Sequence, residues 1–202
     1  MDKSGLLRLL EKRGFSKLIL SAFEKVDRAD FVPDKYKRWA YQDTSLSIGY
    51  KQTISQPSTI AMMLELSKLE PGQKVFEAGF GSGYVLALLS KIVGEKGEVY
   101  GSEILEPLYN KAFLSMDDYL NVKIFHRDGK LGLIEYAPFD RILVSAACYE
   151  PPRTLLHQLK DKGIFVVPVG PELGCVLTSF KREKDSFKVL DFKPGYAFVP
   201  FI

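Results

Sequence analysis

Apolar positions in the first third of the chain recur at helical spacing. Leu6, Leu7, Leu9 and Leu10 form one group, and Leu18, Leu20, Ala22, Phe23 and Val26 form a second, with Gly14 between them. They predict two short helices, the first amphipathic over 1–15. The stretch 30–53 is aromatic and polar without a period. It predicts a long loop with at most a turn of helix, packed down by Trp39, Tyr41 and Ile48. Pro57 then opens a helix over 57–68 with an apolar face of Ala61, Met62, Leu64 and Leu66, the proline standing where a first turn tolerates it.

From residue 74 the pattern alternates. Strands are predicted over 74–79, 97–103, 122–128, 140–146 and 163–169, and helices over 82–94, 106–120 and 151–159. Strand followed by helix, repeated, predicts a parallel α/β sheet covered on both faces. Residues 174–202 differ: two β-rich runs flank the charged "KREKD", which predicts an antiparallel hairpin at one sheet edge. The expected fold is a Rossmann-like, doubly wound, mostly parallel sheet with an N-terminal helical layer and an antiparallel C-terminal hairpin. It reads as one domain, with a helical and loop layer over 1–56, a ligand-binding core over 57–170 and the hairpin over 171–202.

Composition narrows the partners. A net charge of +3, from 28 basic and 25 acidic side chains, gives no excess for a strongly electrostatic nucleic-acid partner. Cys148 and Cys175 lack a paired metal spacing, so no metal is expected and a reduced cytoplasmic protein is the simplest reading. No apolar run reaches about 18 residues, so neither a membrane span nor a signal peptide is expected. A monomer is the working expectation.

The chemistry concentrates at "EAGFGSGY". Gly79, Gly81 and Gly83 lie between a predicted strand and a helix, where backbone can approach a ligand and helix N–H groups are free. A nicotinamide fingerprint would place its third glycine at 84, which is Tyr84, and a P-loop would end in Gly-Lys-Ser/Thr. The observed G-x-G-x-G, preceded by Glu77, resembles the first motif of class I S-adenosylmethionine-dependent methyltransferases. Glu103 closes the next strand, where a carboxylate accepts from both hydroxyls of a ribose, and Asp128 ends the third, within reach of an adenine amino group. No residue reads as a committed general base: His126 falls in a strand and His157 on a distant helix. Glu150-Pro151-Pro152 only approximates the motif of amino-group methyltransferases and reads as the start of a helix.

Longer segments carry a more particular resemblance. "VDRADFVP", "SIGYKQTISQP", "EAGFGSGY", "RDGKLGLIEYAPFDRILVSAA", "LLHQLKDKGIFVVPVG" and the C-terminal "FVP" are similar to motifs of the protein-L-isoaspartate O-methyltransferase family, over nearly the whole chain. That resemblance implies methyl transfer from S-adenosylmethionine to the freed α-carboxylate of isoaspartyl residues in proteins and peptides, with collapse of the ester to a succinimide starting repair. It implies Ser55 as the active-site serine. It implies a peptide held by Thr53, Ile54, Gln56, Val199 and Pro200, and a cofactor held by Glu77, Gly79, Gly81, Ser82, Gly83, Glu103, Asp128 and Gly129. Ser55 is also placed to cap the following helix. The chain departs from the family pattern at Asp27, Tyr50, Phe80, Arg127, the "PELGCVL" segment and Ala197. These departures leave open a relative acting on a dedicated peptide. An RNA or small-molecule methyltransferase, or a cofactor-binding interaction module without turnover, are the competing readings.

Overall fold

A computed structural model describes residues 1–202. The elements in chain order are α1 (Lys3–Lys12), α2 (Lys17–Lys25), β1 (Leu46–Gly49), β2 (Gln52–Ile54), α3 (Pro57–Leu66), β3 (Lys74–Ala78), α4 (Tyr84–Val93), β4 (Glu98–Glu103), α5 (Glu106–Ser115), β5 (Val122–His126), β6 (Phe139–Val144), α6 (Arg153–His157), β7 (Leu159–Val169), β8 (Leu173–Glu183) and β9 (Ser186–Ala197). Strands β3 to β9 form one sheet in the order β5-β4-β3-β6-β7-β8-β9. β3 to β7 are parallel, and β8 and β9 are antiparallel, closing one edge as a hairpin.

The order reverses at β3. The chain runs outward through β4 and β5, then returns to place β6 on the other side of β3. Ligands in open α/β sheets bind in the crevice at that reversal, outside the carboxyl ends of the strands.

Alternation along β3 shows why both faces need cover. Val75 enters the larger apolar core, whereas Phe76 and Ala78 enter a smaller one. The larger core holds 39 buried residues and the smaller 13, so one face carries most of the packing. Helices α1 to α4 and the inner face of α5 supply the thick layer. On the other face, α6 contributes only Leu155 and Leu156.

The stretch read as an open loop is more ordered than its sequence suggests. Two 3-10 turns, Arg28–Phe31 and Asp34–Trp39, precede the small β1–β2 hairpin. Tyr50 and Lys51 form its turn, both at positive φ (53° and 60°), where the family pattern has a glycine at position 50. α5 ends at Ser115 rather than 120, because the acidic pair Asp117-Asp118 opposes the negative end of the helix. Pro151 and Pro152 precede α6 directly, and Pro152 stands at its N-cap. No helix is long and apolar enough to cross a membrane.

Candidate active site

The bend after β3 is shaped by positive φ at Gly79 (77°), Gly81 (56°) and Gly83 (84°), a region that L side chains rarely adopt. Its amides are anchored to the neighbouring strand. Gly79 N donates to the Ser102 carbonyl at 2.8 Å, and Gly81 N donates to Glu103 Oε2 at 2.9 Å. The other oxygen of Glu103 accepts from Leu105 N at 2.9 Å. Glu103 therefore lies at the end of β4 with its carboxylate fixed against the bend.

A cleft of about 490 Å³ opens over this bend, walled by Gly79, Gly81, Glu103, Gly129, Ser145 and the tail residues 199–202. The tail is tied down by main-chain bonds: Ala147 N to the Val199 carbonyl (2.8 Å) and Phe201 N to the Ala147 carbonyl (2.9 Å). At Gly129 a Cβ would come within 3.0 Å of Ala78 Cβ and 3.1 Å of Phe201 Cζ and Ser102 Oγ, so glycine is what lets this turn pack closely against β3, β4 and the tail.

A smaller pocket of about 360 Å³ lies behind the bend and joins Ser55, Glu77, Ser82 and Ser145. A wide groove of about 1270 Å³ runs on its outer side past Ser55, Gln56, Glu172, Tyr196 and Phe198. Thr53 borders all three spaces, and Ser55 stands where the small pocket meets the groove.

Charge decides what the inner spaces can hold. No lysine or arginine lines the cleft or the small pocket, which excludes a phosphate ligand held by side-chain cations. Two carboxyl groups are present instead. Glu77 is fully buried; Oε1 accepts from Ser145 Oγ at 2.6 Å, and Oε2 has no partner. Burial pushes Glu77 up to about 8; the Ser145 hydroxyl opposes the rise and the nearby Glu103 charge adds to it. An unpartnered buried carboxyl oxygen at the small pocket suits a ligand bearing a cation, and a carboxylate at the end of β4 suits hydroxyls.

The raised value also sets a stability expectation. Between about 4.5 and 8 the folded state binds the Glu77 proton more tightly than the unfolded chain, so this group lowers stability as pH rises through that window. Glu77→Gln keeps an acceptor for Ser145 and carries no charge. Thermal melts of the ligand-free protein are expected to show a variant advantage that grows from pH 5 to pH 8.5; an advantage independent of pH would mean that Glu77 is ionised throughout.

The comparisons with known proteins bear on this geometry. The family model described as protein-L-isoaspartate(D-aspartate) O-methyltransferase matches residues 1–202. The chain belongs to that family. A protein-L-isoaspartate O-methyltransferase of Methanococcoides burtonii is 39% identical over 89% of this chain and 89% of its own. One from Fervidobacterium nodosum is 42% identical over 88% of this chain and 90% of its own. A solved protein-L-isoaspartate O-methyltransferase superposes with a TM-score of 0.89 at 30% identity; the match covers 98% of this chain and 65% of that one. A Plasmodium falciparum structure in complex with S-adenosyl-L-homocysteine superposes with a TM-score of 0.86 at 25% identity, over 100% of this chain and 99% of that one.

In this member of the isoaspartate methyltransferase family, most of the residues expected at the site converge. Gly79, Gly81, Glu103 and Gly129 wall the cleft, and Glu77 and Ser82 line the small pocket. Ser55, Thr53, Gln56 and Val199 line the groove, Ile54 the small pocket and Pro200 the cleft. Two residues stand apart. Gly83 caps α4 at φ 84° and lines none of the three spaces; a Cβ there would meet Met116 Cε at 3.2 Å. Asp128 does not line the cleft, and its Oδ1 accepts from Lys130 N at 2.8 Å as the cap of the next turn.

Ser55 is not a helix cap. Gln56 takes the N-cap position of α3 without a side-chain bond. The first-turn amide of Ser58 donates instead to Asp43 Oδ1, at 2.9 Å. The departures sort by place. Phe80 is buried, and the space a Cβ would need at Gly101 is taken by its Cδ1, at 2.8 Å. Arg127 pairs with Glu135 on the surface, and Asp27 accepts from the Tyr41 hydroxyl and from Ala29 N. His126 is exposed, stacked on Tyr109, and His157 packs against Phe187. Ser145 and Phe201 were not expected at the site. Ser145 follows β6, so the strand-end rule that flagged Glu103 also points to it.

Proposed function

We infer that this chain transfers a methyl group from S-adenosylmethionine to the free α-carboxylate of L-isoaspartyl residues in proteins and peptides. The product ester collapses to a succinimide, whose hydrolysis returns part of the chain to normal aspartate. The observation that supports this reading most directly is Ser55: its hydroxyl forms no hydrogen bond within the protein, at the junction of the small pocket and the groove.

The residues present fit the cofactor. Glu103 would accept from the ribose hydroxyls, the Glu77 carboxyl would face the methionine ammonium, and Ile104, Leu105 and Gly129 would border the base. S-adenosylmethionine supplies a methyl group already activated by a sulfonium. The protein then has to align an acceptor and exclude water.

An acceptor carboxylate needs no general base, since it is ionised at neutral pH. The site matches that requirement. Burial lifts the Cys148 thiol to about 12, and neither histidine lines the cleft, the small pocket or the groove. The Ser55 hydroxyl would donate to one acceptor oxygen and leave the other free to attack. Thr53, Gln56 and the main chain near Val199 would hold the peptide in the groove. The groove carries one cation and one anion, Arg13 and Glu172, which favours a peptide over a polyanion such as RNA. Two free cysteines accord with a cytoplasmic enzyme, which we take to act as a monomer.

The deciding experiment uses two peptides that differ only in Asp versus isoAsp, with labelled S-adenosylmethionine. Label is expected on the isoAsp peptide alone. Equal labelling of both, or labelling of the Asp peptide only, would replace repair with methylation of a dedicated aspartyl target.

A further inference from the structure

Arg28 is 1% exposed, yet no carboxylate forms an ion pair with it. Its Nη1 donates to the Ser55 carbonyl at 2.9 Å and its Nη2 to the Thr44 carbonyl at 3.3 Å, while Nε has no partner. The guanidinium lies 5.4 Å from the centre of the Tyr84 ring, and that ring in turn lines the small pocket with Ser55 and Glu77. Asp43, whose charge favours the Arg28 cation, is already engaged by Arg13 at 2.8 Å and by Ser58 N at 2.9 Å.

Burying a guanidinium without a counter-charge is costly, and the Tyr84 face offsets only part of that cost. Burial pulls Arg28 down to about 10, which still leaves it a cation at neutral pH. A clamp on two carbonyls does not require charge, because a side-chain amide also donates twice. The only carboxylate that favours this charge, Asp43, is shared with Arg13 and forms no direct pair with Arg28, and the position the guanidinium backs is Ser55.

We propose that Arg28 is the positioning cation of the acceptor subsite: it holds the Ser55 main chain from behind and supplies the positive field that selects an ionised acceptor acid. It does not line the groove, so it acts through Ser55 without touching the peptide. The balance closes when an anionic carboxylate reaches the Ser55 hydroxyl. This inference rests on the isoaspartyl reading and adds to it a reason for the preference for a charged acceptor.

The test compares an isoAsp peptide with the same peptide carrying an α-carboxamide, used as a competitive inhibitor, on the full-length protein. Wild type is expected to bind the carboxylate at least about tenfold more tightly than the amide, the effect of one charge through a partly buried path. In Arg28→Gln that preference is expected to fall to about twofold or less, with KM for the isoAsp peptide raised and affinity for S-adenosylhomocysteine within about threefold of wild type. Arg28→Lys keeps the charge and is expected to keep the preference while kcat falls through loss of the fork.

Equal losses of preference in Gln and Lys variants would mean a structural clamp and overturn the proposal. So would a wild type that binds acid and amide alike, a result that needs no variant to fold. If wild type binds and discriminates but methylates neither isoAsp nor Asp peptides, it is the methyl-transfer reading that fails. If it methylates isoAsp while Arg28→Gln keeps full discrimination, only the role of Arg28 fails.

Discussion

Glu103→Ala is expected to weaken S-adenosylhomocysteine binding by about two orders of magnitude, since hydrogen bonds to a charged group contribute about 1.5–3 kcal/mol each. The side chain does two jobs at once. It presents a carboxylate to the cleft, and it accepts from Gly81 N and Leu105 N, which fixes the bend against β4. Alanine removes both the acceptor for the ribose and the anchor of the bend. Glu103→Gln keeps one acceptor oxygen and is expected to fall between alanine and wild type. Calorimetric titration with S-adenosylhomocysteine separates the three. Affinity unchanged in the alanine variant would mean that the ribose lies elsewhere. A second consequence follows from charge. The Glu103 carboxylate is one of the causes that raise Glu77, so its removal should make Glu77 easier to ionise.

The parts of this site that were legible in the sequence are those that obey local rules. A strand, a glycine bend and a helix fall within a dozen residues, so periodicity and glycine spacing locate Gly79 and Gly81. Glu103 follows from the same rule applied to the next strand. The β1–β2 hairpin escaped because its turn is Tyr50-Lys51, residues that carry no turn signal, held at positive φ by their surroundings. β7 was expected from 163 and starts at Leu159, because its first residues include the exposed Lys160 to Lys162, with Lys162 at φ 64°. Asp43 and Arg28 lie 15 and 27 residues from the groups they hold, Ser58 and Ser55. No short-range pattern encodes such pairs. They depend on the N-terminal layer packing over one face of the sheet, which is a tertiary outcome. Asp128 stands at the strand end that the rule names, and its Oδ1 also caps the following turn.

Ser55→Ala separates alignment from binding more sharply than any other single change. The hydroxyl makes no bond in the free protein, and the first-turn amide of α3 is served by Asp43, so its removal leaves no internal group unsatisfied. The melting temperature is therefore expected to stay within about 2 °C of wild type. Cofactor affinity is expected to hold within about threefold, because the ribose would be held in the cleft at Glu103, which Ser55 does not line, and the methionine ammonium by Glu77 on another wall of the small pocket. Turnover is another matter. A carboxylate that is not held pivots about its own C–C bond and presents either oxygen, or neither, to the methyl group. Loss of one charge-assisted hydrogen bond, together with the direction it imposes, is expected to lower kcat/KM for an isoAsp peptide by about 10- to 100-fold. Ser55→Thr restores a hydroxyl at the same position and is expected to recover much of that loss. Steady-state kinetics beside S-adenosylhomocysteine titration read the split directly. Cofactor binding that collapses in step with turnover would make Ser55 a structural residue, and methyl transfer would then have to be aligned by the main chain of β2 and the tail alone.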